Sequence, residues 1–386
     1  MNYDIEEFDA IRPYHDEELP DIYEKLLASE QFLYVLNQIF PQLEKEQVRK
    51  MMYQCKTKVD FQKTFSYPFL EGVLQKTSTG IEFDHSKVKD LSKAHIYLSN
   101  HRDIILDSAF LADLFVREGY DTQEVAIGDN LLVYPWIEQF VRVNKSFIVH
   151  RGLTMRQILG SSARMSRYMH YAITVKNQSI WMAQREGRSK DSSDRTQDSL
   201  LKMLVMGGEG TLVERLQEMN ILPLAISYEY DPCDYLKAQE FQQKRDDPDY
   251  QKTAQDDLKN MEAGVMGYKG RIVFRTSSCL NPRLNLLPKT CCKSEFIRMV
   301  AELIDKEIHS NYELYPGNYV AYDLLFDTEE MSDKYTVKER AHFIKYIDSQ
   351  LDKIELPNKD MPFLYMKILE MYANPVANYI KATADE

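Results

Sequence analysis

The chain has 386 residues, 44% of them hydrophobic and 28% charged, with a formal net charge of −12 at pH 7. These proportions suit a globular chain long enough to bury a full core, and they exclude a disordered one. The acidity, with no RNA- or DNA-binding signature, excludes nucleic acid as the expected partner, and no apolar run approaches the roughly 20 residues of a membrane-spanning helix.

Residues 1–88 repeat apolar side chains at spacings of three and four, as in IYEKLLASEQFLYVLNQIF, with no strand run between them. This predicts an N-terminal helical region. Residues 89–290 alternate short apolar runs with helical patterns. In order they are HIYLS, a helix over about 104–118, EVAIG, a helix near 131–141, SFIV, a helix over about 154–173, SIWMA, a helix near 211–219, ILPLAISYEY and GRIVFRTS. Residues 291–386 return to helical periodicity in EFIRMVAELIDKEI, ERAHFIKYIDSQLDKI and PFLYMKILEMYANPVANYI, a C-terminal helical region. The whole predicts an α/β fold, a central mixed sheet covered by helices with helical extensions at both ends.

The chemistry-bearing residues gather at the ends of the apolar runs, where α/β enzymes present their sites. His101 follows HIYLS and precedes an apolar helix, which places its imidazole on a strand-to-helix turn near a positive helix end. A neutral imidazole there would take the proton from a substrate hydroxyl attacking a thioester carbonyl, with a carboxylate on the other ring nitrogen fixing the tautomer. Asp103 and Asp107 are both available. Asp107 leads the run SAFLADLF, which would leave Asp103 as a helix cap; if the helix begins earlier, Asp103 is the partner.

From Arg142 to Lys202 the chain holds twelve Lys or Arg against four Asp or Glu, a local +8 that marks a face meeting anions. Arg156, Arg164 and Arg167 at helical spacing also fit a solvated face. Arg188, beside Gly187 and flanked by Glu186, Ser189 and Lys190, fits phosphate recognition better, because guanidinium forks match phosphate oxygens and glycine admits backbone N–H groups. Arg151 after SFIV is the second phosphate contact, and Arg102 fits either a substrate or a structural role.

The segments LSNHRDIILD, GDNLL through SFIVHRG, QREGRSK and ILPLAISYEY, in this order, resemble the glycerolipid acyltransferases, which move a fatty acyl group from a carrier thioester to glycerol 3-phosphate, dihydroxyacetone phosphate or a lysophosphatidate. The likeness spans about residues 95–275 and is closest to the glycerol-3-phosphate branch. It implies His101 as general base with Asp107, and Arg102, Asp103, Arg151, Glu186, Gly187, Arg188, Ser189 and Lys190 around the acceptor, Glu186 orienting an arginine or a substrate hydroxyl. It implies acyl-CoA or acyl carrier protein as co-substrate and no other cofactor. Two departures are plain. Five residues separate His101 from Asp107 where the family has four, and the glycine turn is one residue short.

The stretch Leu131 to Ile137, and the basic helix from Thr154 with Met155, Ile158, Leu159, Met165 and Met169, fit either a lipid surface or core. The acidic opening MNYDIEEFDA lacks the regions of a secretory signal, so the expected location is cytoplasmic, with peripheral contact at the inner face of a membrane. Cys55, Cys233, Cys279, Cys291 and Cys292 are scattered and read as reduced thiols, so no metal site is expected. Two further readings stand beside the enzyme: a catalytically silent lipid-phosphate binding protein of the same fold, favoured by the altered histidine spacing, and transfer to a non-glycerol acceptor, which fits the short glycine turn.

Overall fold

The computed structural model describes residues 3–152, 154–288 and 291–384, with the side chain of Met155 outside the description. Seven strands form one sheet: β1 (Ser78–Asp84), β2 (Ile96–Ser99), β3 (Glu124–Gly128), β4 (Ser146–Val149), β5 (Ile180–Ala183), β6 (Ile221–Tyr228) and β7 (Gly270–Thr276). Their spatial order is β1-β7-β6-β2-β5-β3-β4. Every neighbouring pair is parallel except β6 and β7, so the sheet is mixed and five strands end at one edge.

The central strands are apolar throughout because both faces are covered, and alternate residues feed two cores. Ile96, Leu98, Ile180, Met182 and Ile221 pack with helices Met155–Thr174 and Lys293–Ser310. Tyr97, Trp181, Leu222, Leu224 and Ile226 pack on the other side with helices Tyr67–Thr77 and Leu106–Arg117. The N-terminal helices bury Leu26, Met52 and Phe61 in their own cluster and meet the rest through Val143 and Phe140. The C-terminal helices do likewise around Ile347, Leu364 and Ile368.

Two sequence expectations are corrected here. Residues 78–84, inside the stretch read as helical, form β1. This strand pairs only with β7, and its half-exposed side chains gain their partners across the sheet, Glu82 with Arg271 at 2.6 Å and Asp84 with Arg275 at 3.1 Å. A seven-residue edge strand containing Gly80 has little periodicity of its own to display. Between β6 and β7 lie two unanticipated helices, Asp234–Asp246 and Ala254–Met266, the first with almost no amphipathic pattern because its Asp234, Lys237, Glu240 and Gln242 are all buried in polar contacts. Pro223, which suits an edge strand, is instead inside β6 between β7 and β2. Its carbonyl accepts from the N–H of Ser277 at 2.8 Å.

Candidate active site

At the edge where β2, β3, β4, β5 and β6 end, β2 runs into the turn 100–105 and then into helix Leu106–Arg117. Asn100 anchors this turn to β6: its Nδ2 donates to the Ile226 carbonyl at 2.9 Å and its Oδ1 accepts from the Ile226 N–H at 2.8 Å. His101 follows, its Nδ1 2.8 Å from Asp107 Oδ2. The same oxygen accepts the backbone N–H groups of Arg102 at 2.7 Å and Asp103 at 3.0 Å. Three donors converge on one fully buried carboxylate oxygen and fix it, so the ring turns Nδ1–H toward Asp107 and leaves Nε2 with the lone pair. The His101 side chain keeps 13% exposure, and among the described residues nothing is hydrogen-bonded to Nε2. The ring rests edge-on against Trp181 at 5.7 Å, whose Nε1 is tied to Ser99 at 3.1 Å.

Asp103 takes the other position. Its Oδ1 accepts the N–H groups of Ile105 and Leu106, both at 2.8 Å, at the start of the helix. Burial first, and then the neighbouring Asp107 charge, push its carboxyl above the ordinary carboxylate value, with Arg188 opposing them. The five-residue spacing is thereby accommodated: the additional residue lies in the turn, and Asp107 sits in the first turn of the helix. Because the N–H groups of 102, 103, 105 and 106 all serve these two carboxylates, that part of the helix start offers no free donor to an oxyanion.

The glycine turn lies one strand away, after β5, with Gly187 at φ +67°. Arg188 donates from Nη2 to Asn260 Oδ1 at 2.8 Å, while its buried Nη1 has no partner. Arg151, after β4, is exposed. It lies over Gly128, where an added Cβ would stand 2.7 Å from Nε, and pairs with Glu186 at 3.2 Å. Asp129, after β3, joins this group by accepting the Arg151 N–H at 3.1 Å and facing His150 Nδ1 at 3.1 Å. His150 and Asp129 carried no signal in the sequence beyond standing next to strand ends, and Asn260, inside helix Ala254–Met266, carried none.

Three expected substrate contacts have their polar atoms engaged by the protein. Arg102 pairs with Asp194 at 2.7 Å and donates to Ser192 at 2.8 Å; burial opposes its charge, and the attractions of Asp194, Tyr312, Asp231 and Asp107 together outweigh it. Ser189 donates to Asp191 at 2.9 Å, and Lys190 pairs with Glu240. These side chains shape the rim from behind.

Of the two apolar features, Met165 and Met169 belong to the core and Trp136 packs among the N-terminal helices. Ile158 and Leu159 remain 47% and 64% exposed, and Val133 and Tyr134 are exposed as well. Among the described residues no helix is long and apolar enough to cross a membrane, and no cluster of ligands that could hold a metal ion occurs. A cavity of about 400 Å³ lies at the opposite edge of the sheet, where Arg12, Lys58, Lys145 and Lys176 line it.

No protein-family model and no curated protein matches the chain. Among solved structures, the 1-acyl-sn-glycerophosphate (LPA) acyltransferase PlsC from Thermotoga maritima is similar with a TM-score of 0.37 and 10% sequence identity, covering 78% of this chain and 100% of that chain. A likeness of that degree says nothing about the chemistry of this chain, which rests on its own residues: a buried carboxylate, a histidine with one free ring nitrogen, and an arginine-rich rim at the ends of parallel strands.

Proposed function

We propose that the protein is an acyltransferase that moves a fatty acyl group from a thioester donor, acyl-CoA or acyl carrier protein, to a hydroxyl of glycerol 3-phosphate or a related phosphorylated acceptor. The observation that carries this reading is the His101–Asp107 pair, 2.8 Å apart, with Nε2 left unbonded. Nε2 accepts the proton of the acceptor hydroxyl as its oxygen attacks the thioester carbonyl. Asp107 stabilises the imidazolium that forms. When the tetrahedral intermediate collapses, the C–S bond breaks and the imidazolium returns the proton to the departing thiolate. Arg188, with its unpartnered Nη1, and Arg151, held by Glu186 and Asp129, supply the charge for the acceptor phosphate. The exposed Ile158 and Leu159 near the basic Arg156 support a peripheral contact with an anionic membrane surface, where acyl products would partition.

Incubating the purified protein with labelled palmitoyl-CoA, or palmitoyl carrier protein, and a panel of phosphorylated alcohols tests the reading. A labelled monoacyl product with a glycerol phosphate is expected. Binding of phosphorylated acceptors without any product from either donor would replace the enzyme by a silent lipid-phosphate binding protein.

A further inference from the structure

Among the buried polar atoms near the candidate site that lack partners, two belong to adjoining elements. Asp107 Oδ2 accepts three hydrogen bonds while its Oδ1 accepts none, although the side chain is fully buried. The hydroxyl of Tyr228, a residue 8% exposed at the end of β6, has no partner either. Leaving two such groups dry and unpaired costs desolvation with no return.

The two groups are neighbours. β6 pairs with β2, and Asn100 clamps the turn that carries His101 and Arg102 to Ile226, two residues before Tyr228. The Tyr228 phenol feels the Asp107 carboxylate directly: burial first, then the charges of Asp107 and Asp103, push its pKa well above the ordinary value. It therefore stays protonated and a donor, and its hydrogen turns freely about the C–O bond. The other charges around the pair are Arg102, attracted by Asp107, and Asp231, which acts on Tyr228; Arg188 acts on Asp103.

We infer that Tyr228 is a positioning residue for the histidine pair: its phenol, not hydrogen-bonded in the described geometry, closes onto Asp107 Oδ1 and donates to it, holding the carboxylate against His101 and moderating the negative charge that the imidazolium meets. Its kinetic consequences rest on the acyl-transfer reading; its effect on His101 does not. A tyrosine that merely filled space would be replaced by phenylalanine without consequence for the histidine.

The test uses the full chain labelled with ¹⁵N-histidine, the His101 signal being assigned by its loss in His101→Ala. In Tyr228→Phe the carboxylate loses a donor and attracts the imidazolium more strongly. The His101 titration midpoint should rise by about half to one pH unit. In the transfer assay kcat should fall about 3- to 10-fold at unchanged acceptor KM, with the acidic limb of the kcat/KM profile moving to higher pH by the same amount. Placing 3-fluorotyrosine at 228, which keeps the shape and strengthens the donor, should move the midpoint the other way, and it decides the matter alone if Tyr228→Phe does not fold. A His101 titration unmoved by either change would overturn the inference. A moved titration in a protein that transfers no acyl group from either donor would uphold Tyr228 and remove the acyl-transfer reading.

Discussion

The two edges of the sheet both gather charged side chains and use them differently. At the edge where β3, β4 and β5 begin, the cavity of about 400 Å³ is lined by cations that each hold a carboxylate: Lys145 with Asp121 at 2.6 Å, Arg12 with Glu18 at 2.6 Å, Lys58 with Asp16 and Lys176 with Glu124. At the edge where the strands end, His101 Nε2 and Arg188 Nη1 have no hydrogen-bond partner among the described residues. The larger space has its charges spent on folding, whereas the smaller constellation keeps reactive atoms in reserve.

This contrast is broken most directly at His101. His101→Ala should lower acyl transfer by about 10²- to 10⁴-fold while the melting temperature stays near that of the parent, measured as product formation and by calorimetry. Asp107→Asn should lose most of the activity too, up to about the 10⁴-fold seen for a triad aspartate. Its amide oxygen still accepts the N–H groups of Arg102 and Asp103, so the turn survives and the charge is what goes. Activity unchanged in both variants would transfer the site elsewhere.

Next in size are the arginines. Arg188→Ala and Arg151→Ala should each weaken acceptor binding by about 1.5 to 3 kcal/mol, seen as a raised acceptor KM at saturating donor. A change confined to donor saturation would reassign them to the donor's phosphates.

The opposite edge supplies the control. Lys176→Ala leaves the buried Glu124 carboxylate with Tyr168 at 2.5 Å and without its cation. Stability should fall by about 1 to 3 kcal/mol in a denaturant titration, with kinetic constants unaltered. Loss of activity out of proportion to stability would mean that the two edges are coupled.

The smallest effect is expected for Asp103→Asn, because asparagine caps a helix as well as aspartate does. Its sign depends on pH. Asp103 has its carboxyl raised above the unfolded value of 3.8, so the stability it contributes is complete below that pH and is lost as pH rises through the folded value. Asparagine does not ionise. The variant should therefore match the parent at pH below about 4 and melt slightly higher at neutral pH; a lower melting temperature at neutral pH with unchanged acid behaviour would make Asp103 a stabilising charge.

The sequence alone determined the class of the fold and the address of the chemistry. Short continuous apolar runs alternating with period-three-and-four patterns announce strands covered on both faces and helices, because run length and period are legible in the local sequence. Likewise His101, Arg151 and Arg188 stand next to such runs, so their placement at strand ends was legible. Tertiary structure alone decided three things. β1 exists because β7 offers it a partner, an energy that no window of the chain contains. Arg102 and Lys190 are occupied because Asp194 and Glu240 lie 92 and 50 residues away in the chain and beside them in space. Which aspartate faces His101 was likewise settled by the turn, where one carboxylate caps the helix and the other collects His101 and two backbone donors; spacing counts residues, and hydrogen bonds choose among them.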